Sequence, residues 1–472
     1  MPSARPVLQS PSAARLPVYA EGDANLNENS GLSRRDFLFT AAVGTAAIAA
    51  SGSRTAGASV MGLRTPKMDR VRVGSVGLGN RGLPAIRRLL AIEGVEITAL
   101  CDLRAERVAA AQKMLADANR PAANEFGKTE DDWKRMCADG NVDLVYNATP
   151  RPLHAPIAIF AMKQGKHAAS EVPAARTLEE CWQLVDTAEA TQRHCMMLEN
   201  CCYGETELMF LRMCREGVLG ELMHADAAYI HETRDLNVSG AGYPAGWRLD
   251  DFRRRNGNVY PTHGLGPVAQ YMGINRGDRF DYMVSMSSNE RAMTLWAESH
   301  YPPEDPRRKA TYTLGDMNTS LIRTVKGRTI MLQNDMNSPR PYSRINLISG
   351  TKGCCADYPP RVAIEPKSHN WIQGDALKDY YRKYAHPLWA KIGETAKKLG
   401  GHGGMDFVMD WRMIYCLRNG EPLDQDVYDA AAWSAIGPLS EWSVAHGSRP
   451  VEVPDFTRGV WETTPPLAIV GG

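Results

Sequence analysis

Two hydrophobic rhythms divide the chain. Between residues 71 and 200, short β-rich runs alternate with stretches whose apolar positions recur at helical spacing. The runs are Val71–Val76, Val95–Leu100, Val142–Ala148 and Lys166–Ser170, with Met196–Leu198 read as the sixth strand. Helical patterns fill the intervals at Pro84–Ala91, 104–118, near 130–138, 155–164 and about 177–193. This alternation predicts a doubly wound parallel sheet, whose ligands sit beyond the carboxyl ends of the strands. After residue 204 the period falls to two, in 222–230, 281–287, 311–314, 321–325 and 329–333. That pattern predicts a second α/β domain on a large, mostly antiparallel open sheet, with Gly327 in a hairpin turn. Residues 335–345 and 356–404 concentrate Pro, Gly and aromatic side chains, and 405–419 returns to helical spacing. The aromatic residues of 370–398 read as packing onto the sheet or as a subunit interface, and an open sheet face leaves a homo-oligomer possible.

Composition narrows the class. The 472 residues carry 55 Lys and Arg against 54 Asp and Glu, a net charge of +1. No broad basic field exists to bind nucleic acid nonspecifically. Hydrophobic residues at 43% and charged residues at 23% fit a globular chain. Ten cysteines are too few for a disulfide-built scaffold. Residues 1–58 differ from the rest: Ser33-Arg34-Arg35-Asp36-Phe37-Leu38 is a twin-arginine signature, followed by an apolar stretch to Ala50 and Ala56-Gly57-Ala58 as a cleavage site. That order is an export signal, too short to span a bilayer. It implies passage through the twin-arginine machinery, a periplasmic location and a mature chain starting near Ser59, with domains 59–200 and 201–472. Residues 1–32 read as an extension or an upstream start. Outside this leader no apolar run approaches membrane-helix length.

Gly77-Leu78-Gly79-Asn80-Arg81-Gly82 follows the first strand and opens a helix, so its backbone N–H groups can cradle a pyrophosphate. Asp102 ends the second strand 20 residues past Gly82, where a carboxylate accepts both adenosine-ribose hydroxyls and repels a 2′-phosphate. NAD is favoured over NADP, a preference softened by Arg81 and Arg104. Arg151, Pro152, Leu153 and His154, then Glu171 and Val172, then Asn200, fall at later strand ends and complete the expected cofactor contacts. Cys201-Cys202 and Cys354-Cys355 read as buried small hydrophobes, without metal spacing or a nearby base.

Strand–GLGNRG, the loop before His154 and Gly165-Lys166-His167…Glu171-Val172-Pro173 resemble the Gfo/Idh/MocA oxidoreductases. Within that superfamily the chain is similar, over roughly 70–460, to the glycoside hydrolase family 109 α-N-acetylgalactosaminidases. The likeness rests on Glu171–Ala175, Leu198–Tyr203, Tyr260-Pro261-Thr262-His263-Gly264 and Asp426–Trp433. One departure from the broader superfamily stands out. Val172 replaces the lysine of its dehydrogenases, and Thr262 and Gly266 replace their Asp and His, with His263 alongside.

The resemblance implies an NAD-dependent glycosidase acting on terminal α-linked N-acetylgalactosamine. Transient oxidation at C3 acidifies the C2 proton, the C1 group is eliminated, water adds and the sugar is reduced again, with no net redox change. His263 is the first candidate base and Tyr203 a second proton-transfer group. Tyr229, Arg248, Tyr260, Pro261, Thr262, His263 and Tyr342 are implied substrate contacts, and Glu171 either orients the cofactor or moves a proton. No metal is implied. Two other readings stand beside this one: a true NAD-dependent sugar oxidoreductase, and a catalytically degraded NAD-containing sugar-binding protein.

Overall fold

In the computed structural model, which describes residues 57–238, 247–367 and 369–471, the first half builds one six-stranded parallel sheet. Its strands are β1 (Val71–Val76), β2 (Val95–Cys101), β3 (Asn124–Phe126), β4 (Leu144–Asn147), β5 (His167–Ser170) and β6 (Cys195–Met197), in the order β3-β2-β1-β4-β5-β6. The order reverses between β1 and β4, which opens the crevice where a doubly wound sheet takes its ligand. Central strands are legible because both faces are covered: Val71, Val73, Leu144 and Val145 are all buried. β3 has no apolar run, since edge residues Asn124 and Glu125 are exposed, and it escapes a hydrophobicity pattern. The helix after the glycine loop, Gly82–Leu90, buries Ala85, Ile86 and Leu89 against the sheet.

The second half forms a nine-stranded sheet. Its strands are β7 (Leu222–Ile230), β8 (Phe280–Ser287), β9 (Asn318–Thr324), β10 (Thr329–Asp335), β11 (Leu347–Gly350), β12 (Gly353–Ala356), β13 (Arg361–Ile364), β14 (Ile372–Gln373) and β15 (Val451–Glu452). They run in the order β14-β13-β12-β11-β7-β10-β9-β8-β15, antiparallel except where β10 pairs with β7. Alternation explains the pattern: Ile322, Ile330 and Leu332 point inward, while Tyr282, Met286 and Leu321 stay exposed on the other face.

One expected strand fails. Residues 311–314 bury Tyr312 and Leu314 in alternation, yet the N–H groups of Thr313 and Leu314 both donate to the Phe252 carbonyl, near the end of helix Trp247–Arg254, rather than to a ladder. Helix Met405–Asn419 matches its expected range, and helix Val427–Ala445 starts at an Asp426–Asp429 capping box. The twin-arginine motif and its apolar stretch lie outside the described residues. From Ser59 onward the chain is anchored, with Ser59 Oγ 2.9 Å from Tyr428 Oη and Val60 N–H donating to the same hydroxyl. Among the described residues no helix is long and apolar enough to cross a membrane.

Candidate active site

The strand ends of the parallel sheet, the end of β7 and the start of helix Thr262–Met272 enclose a cleft of about 500 Å³. On the sheet side, close backbone approach explains the glycines. A Cβ on Gly77 would lie 2.6 Å from the Ala148 carbonyl, and one on Gly82 2.0 Å from the Gly77 oxygen. Gly79 opens instead toward the Arg107 guanidinium, at 3.3 Å. Asp102 closes the cradle: one carboxylate oxygen accepts the Leu78 N–H (2.7 Å) and the other the Arg104 N–H (2.9 Å). Arg107 reaches the same carboxylate at 3.5 Å. Arg81 serves no phosphate at this end, because it pairs with Glu171 (2.7 Å) and Asp406 (3.1 Å). His154 is a brace, its two ring nitrogens each 2.8 Å from the carbonyl oxygens of Pro173 and Thr149. The residues present therefore fit a dinucleotide: a backbone cradle that excludes Cβ atoms, a helix N-terminus and a carboxylate at the adenosine end.

Across the cleft, side chains rather than backbone define the site. His263 occupies the first turn of its helix, not the loop its Gly-Pro-rich surroundings suggest, and its Nδ1 lies 2.7 Å from Glu199 Oε1. Glu199 is completely buried. Burial pushes its carboxyl up, but the His263 imidazole more than offsets this and holds it below its ordinary value. Tyr229 stacks on Tyr260 at 4.5 Å, and both rings face His263, at 5.3 and 4.9 Å. Tyr229 Oη lies 2.8 Å from His231 Nδ1. Burial, then the Arg248 guanidinium and His263, push His231 below its ordinary value, which favours the neutral ring beside the Tyr229 hydroxyl. Arg248 lies 5.6 Å over the Tyr260 ring, with Arg151 at 4.5 Å.

Gly77, Gly79, Asn80, Arg81, Asp102, Leu153, His154, Glu171, Val172, Asn200, Tyr229, Arg248, Tyr260 and His263 all line this one cleft. Gly82, Arg151, Pro261 and Thr262 lie behind its wall, while Pro152 is exposed beside it. Arg151 is buried in an ion pair with Asp251 at 2.8 Å. Tyr342 touches the site from outside, its ring 5.1 Å from His231 and 6.2 Å from Tyr229.

Tyr203 is not part of this arrangement. Its side chain is buried in the interior, against a small void shared with His386, Leu388 and Asp424, and its carbonyl accepts the Trp389 indole N–H (2.8 Å). Burial drives its phenol well above the ordinary range, the reverse of what a base requires. Cys201 and Cys202 are likewise buried, their thiols pushed up first by burial. Cys201, Glu199 and His263 do bring three ligand-type atoms within 4.8 Å of one another, but the direct 2.7 Å contact joins acid and imidazole.

Three further residues belong to the site: His231 and His402 line the cleft, and Glu199 lies buried behind His263. Glu199 lies beside Asn200 in the Leu198–Tyr203 segment but faces the other way, toward His263. His231 lies two residues past Tyr229 at the end of β7, a spacing that puts both on one face. His402 reaches the cleft from a loop between two helices of the second half.

Comparison with known proteins agrees with this architecture. Residues 71–199 match the family model described as the oxidoreductase family, NAD-binding Rossmann fold, and residues 203–463 match the C-terminal domain of glycosyl hydrolase 109. A levoglucosan dehydrogenase in complex with NADH and levoglucosan superposes with a TM-score of 0.62 at 21% identity, over 82% of this chain and all of that one. An apo scyllo-inositol dehydrogenase from Lactobacillus casei superposes at 0.58 and 13% identity, over 82% of this chain and 99% of that one. Fold and cradle thus define an NAD-binding enzyme of Gfo/Idh/MocA architecture. A glycosyl hydrolase family 109 protein from Shewanella amazonensis is 52% identical over 93% of this chain and its own full length. Another, from Shewanella sp. (strain ANA-3), is 51% identical over 94% of this chain and its full length. The chain belongs to glycosyl hydrolase family 109.

Proposed function

We propose that this enzyme is a glycosidase that removes terminal α-linked N-acetylgalactosamine through an internal oxidation, elimination, hydration and reduction. The observation that carries the reading is the Glu199–His263 pair, which opens on the same cleft as the dinucleotide cradle and the Tyr229–His231 pair. Bound NAD supplies a hydride acceptor for C3 of the sugar and returns the hydride at the end. The chain's own residues handle protons and orientation. His263, oriented by Glu199, takes the C3 hydroxyl proton, and the buried carboxylate stabilises the imidazolium that forms. Tyr229, hydrogen-bonded to His231, faces the second transfer, at C2. Loss of that proton beside a C3 ketone expels the C1 oxygen; water then adds at C1 and C2 is reprotonated. Arg248 offers a planar fork to a sugar hydroxyl or the N-acetyl oxygen. Val172, buried in the cleft wall, leaves the lysine position of the superfamily's dehydrogenases without a proton carrier.

Purified protein is to be incubated with a nitrophenyl α-N-acetylgalactosaminide in deuterated water without added NAD. Release of the phenolate, deuterium at C2 of the sugar and no accumulated NADH are expected. Steady NADH accumulation would indicate a net sugar oxidoreductase instead, and product unlabelled at C2 would rule out the elimination route. We also propose export by the twin-arginine route to the periplasm, a reading supported by Ser33–Leu38 and the apolar stretch that follows.

A further inference from the structure

His402 belongs to the second half of the chain yet faces the nucleotide cradle. It lies in Gly400-Gly401-His402-Gly403-Gly404, between helices Pro387–Leu399 and Met405–Asn419, and all five residues have positive φ. For histidine, at φ 46°, that conformation costs energy which the surrounding fold must offset. Its side chain is 58% exposed at the cleft mouth. Every hydrogen bond of the ring engages Nδ1, which lies 3.1 Å from both oxygens of buried Asp406. A carboxylate only accepts, so Nδ1 carries the proton and Nε2 is left for another group. The Arg81 and Asn200 side-chain nitrogens, both donors, lie 3.4 Å from the same Nδ1; Asp406, the nearer partner and an acceptor, accepts its N–H. Arg81 also holds Glu171 at the end of β5, and Asn200 follows β6. With Asp102 marking the adenosine end, these strand ends flank the opposite, nicotinamide-ribose half of a dinucleotide laid across the switch point.

We propose that His402 is a cofactor-retaining residue: its imidazole, oriented by Asp406, reaches from the second half of the chain onto the nicotinamide-ribose half of bound NAD and slows its release. Nε2 is the ring atom left to hydrogen-bond a ribose hydroxyl. A cycle that returns its hydride has no need to exchange cofactor, so such a strap carries no kinetic penalty. The inference rests on the NAD site alone, and a failure of the glycosidase reading leaves it standing.

The test is release of NAD from purified holoenzyme, followed by the cofactor remaining bound after timed incubation with excess ADP-ribose as competitor and gel filtration. His402→Ala is expected to release NAD about tenfold faster or more, the loss of one hydrogen bond and its packing. His402→Gln, which keeps an acceptor, should recover most of the retention. In saturating NAD the unfolding free energy of His402→Ala should fall by about 1.4 kcal/mol, the tenfold weaker hold on the cofactor and no more; a larger fall would overturn the proposal in favour of a structural role. Equal release rates for wild type and His402→Ala would overturn the proposal, as would turnover lost with retention intact, which would make His402 a proton carrier. Failure of His402→Gln to improve on His402→Ala would also count against it.

Discussion

Two imidazoles lining the cleft are each backed by a buried carboxylate, and the two pairs are wired differently. Glu199 gives one oxygen to both His263 (2.7 Å) and the Cys201 N–H (3.1 Å). Asp406 divides its charge among Arg81 (3.1 Å), Arg88 (3.5 Å), the Asn200 amide (2.5 Å) and His402. A carboxylate with a single cationic partner keeps its full field for the imidazolium that forms there. One that also carries two guanidinium groups ties its histidine to a fixed ionic cluster and acts as an anchor instead. The first arrangement suits proton transfer, the second holding.

The largest effect should fall on the first pair. His263→Gln removes the proposed base and is expected to lower kcat by about 10³-fold, within the usual range for a general base. Glu199→Gln leaves the imidazole without its ionic partner and should cost about 10²-fold, with bound NAD unchanged in both variants. Single-turnover release of nitrophenolate with the cofactor content measured alongside checks this. A comparable loss of kcat in Asp406→Asn, at unaltered stability, would erase the distinction between the pairs.

Asp406→Asn should appear in stability instead. It removes the counter-charge shared by Arg81 and Arg88, the latter nearly fully buried, and is expected to cost about 3 kcal/mol in chemical denaturation. The pH dependence gives a sharper signature. Burial raises the Asp406 carboxyl, but His402, Arg81 and Arg88 outweigh it and hold the carboxyl far below its ordinary value. Its contribution is therefore complete above the unfolded value near pH 4 and is lost as pH falls below that. The variant's stability should be correspondingly flatter below about pH 4; an unchanged acid limb would show that Asp406 is not the anchor.

The contrast also explains what could be read from the chain alone. The cradle was legible because its function lies in the backbone: Gly77 and Gly82 sit in one short glycine motif that backbone close approaches require, and Asp102 follows at the end of the next strand. Five of the six strands of the parallel sheet declared themselves through burial on both faces; β3, an exposed edge, did not. The opposite wall depends on contacts that join residues 199 and 263, or 81, 200 and 406, and no local spacing encodes them. Tyr203 illustrates the limit, since proximity to Asn200 in sequence gave it a place in the cleft while Trp389 and Leu388 bury it on the other side. His231 could have been found, because extended chain running Tyr229-Ile230-His231 off the end of β7 presents its first and third side chains together.

The smallest predicted effect probes how the dedicated pair is seated. Gly266 lies one turn beyond His263 on the same helix, at the position where the resemblance puts a histidine in the superfamily's dehydrogenases. A Cβ there would meet Cys202 Sγ at 2.9 Å, Glu199 Cγ at 3.0 Å and the Trp433 ring at 3.1 Å. The helix approaches so closely that Glu199 occupies the volume a side chain at 266 would need; the carboxylate under His263 and a residue at 266 exclude each other. In an open helix, replacing glycine by alanine stabilises by roughly 0.5–1 kcal/mol. Here Gly266→Ala is expected to destabilise instead, by about 1–3 kcal/mol, because the methyl must displace buried neighbours. The same displacement moves Glu199 off His263 and should lower kcat by up to about tenfold, roughly 1.4 kcal/mol. Denaturation and kcat measured on one preparation separate the two consequences: a neutral or stabilising alanine would mean that Glu199 owes its position to other contacts, and a destabilised protein with kcat intact would mean that Cys202 and Trp433 absorb the strain while the pair holds.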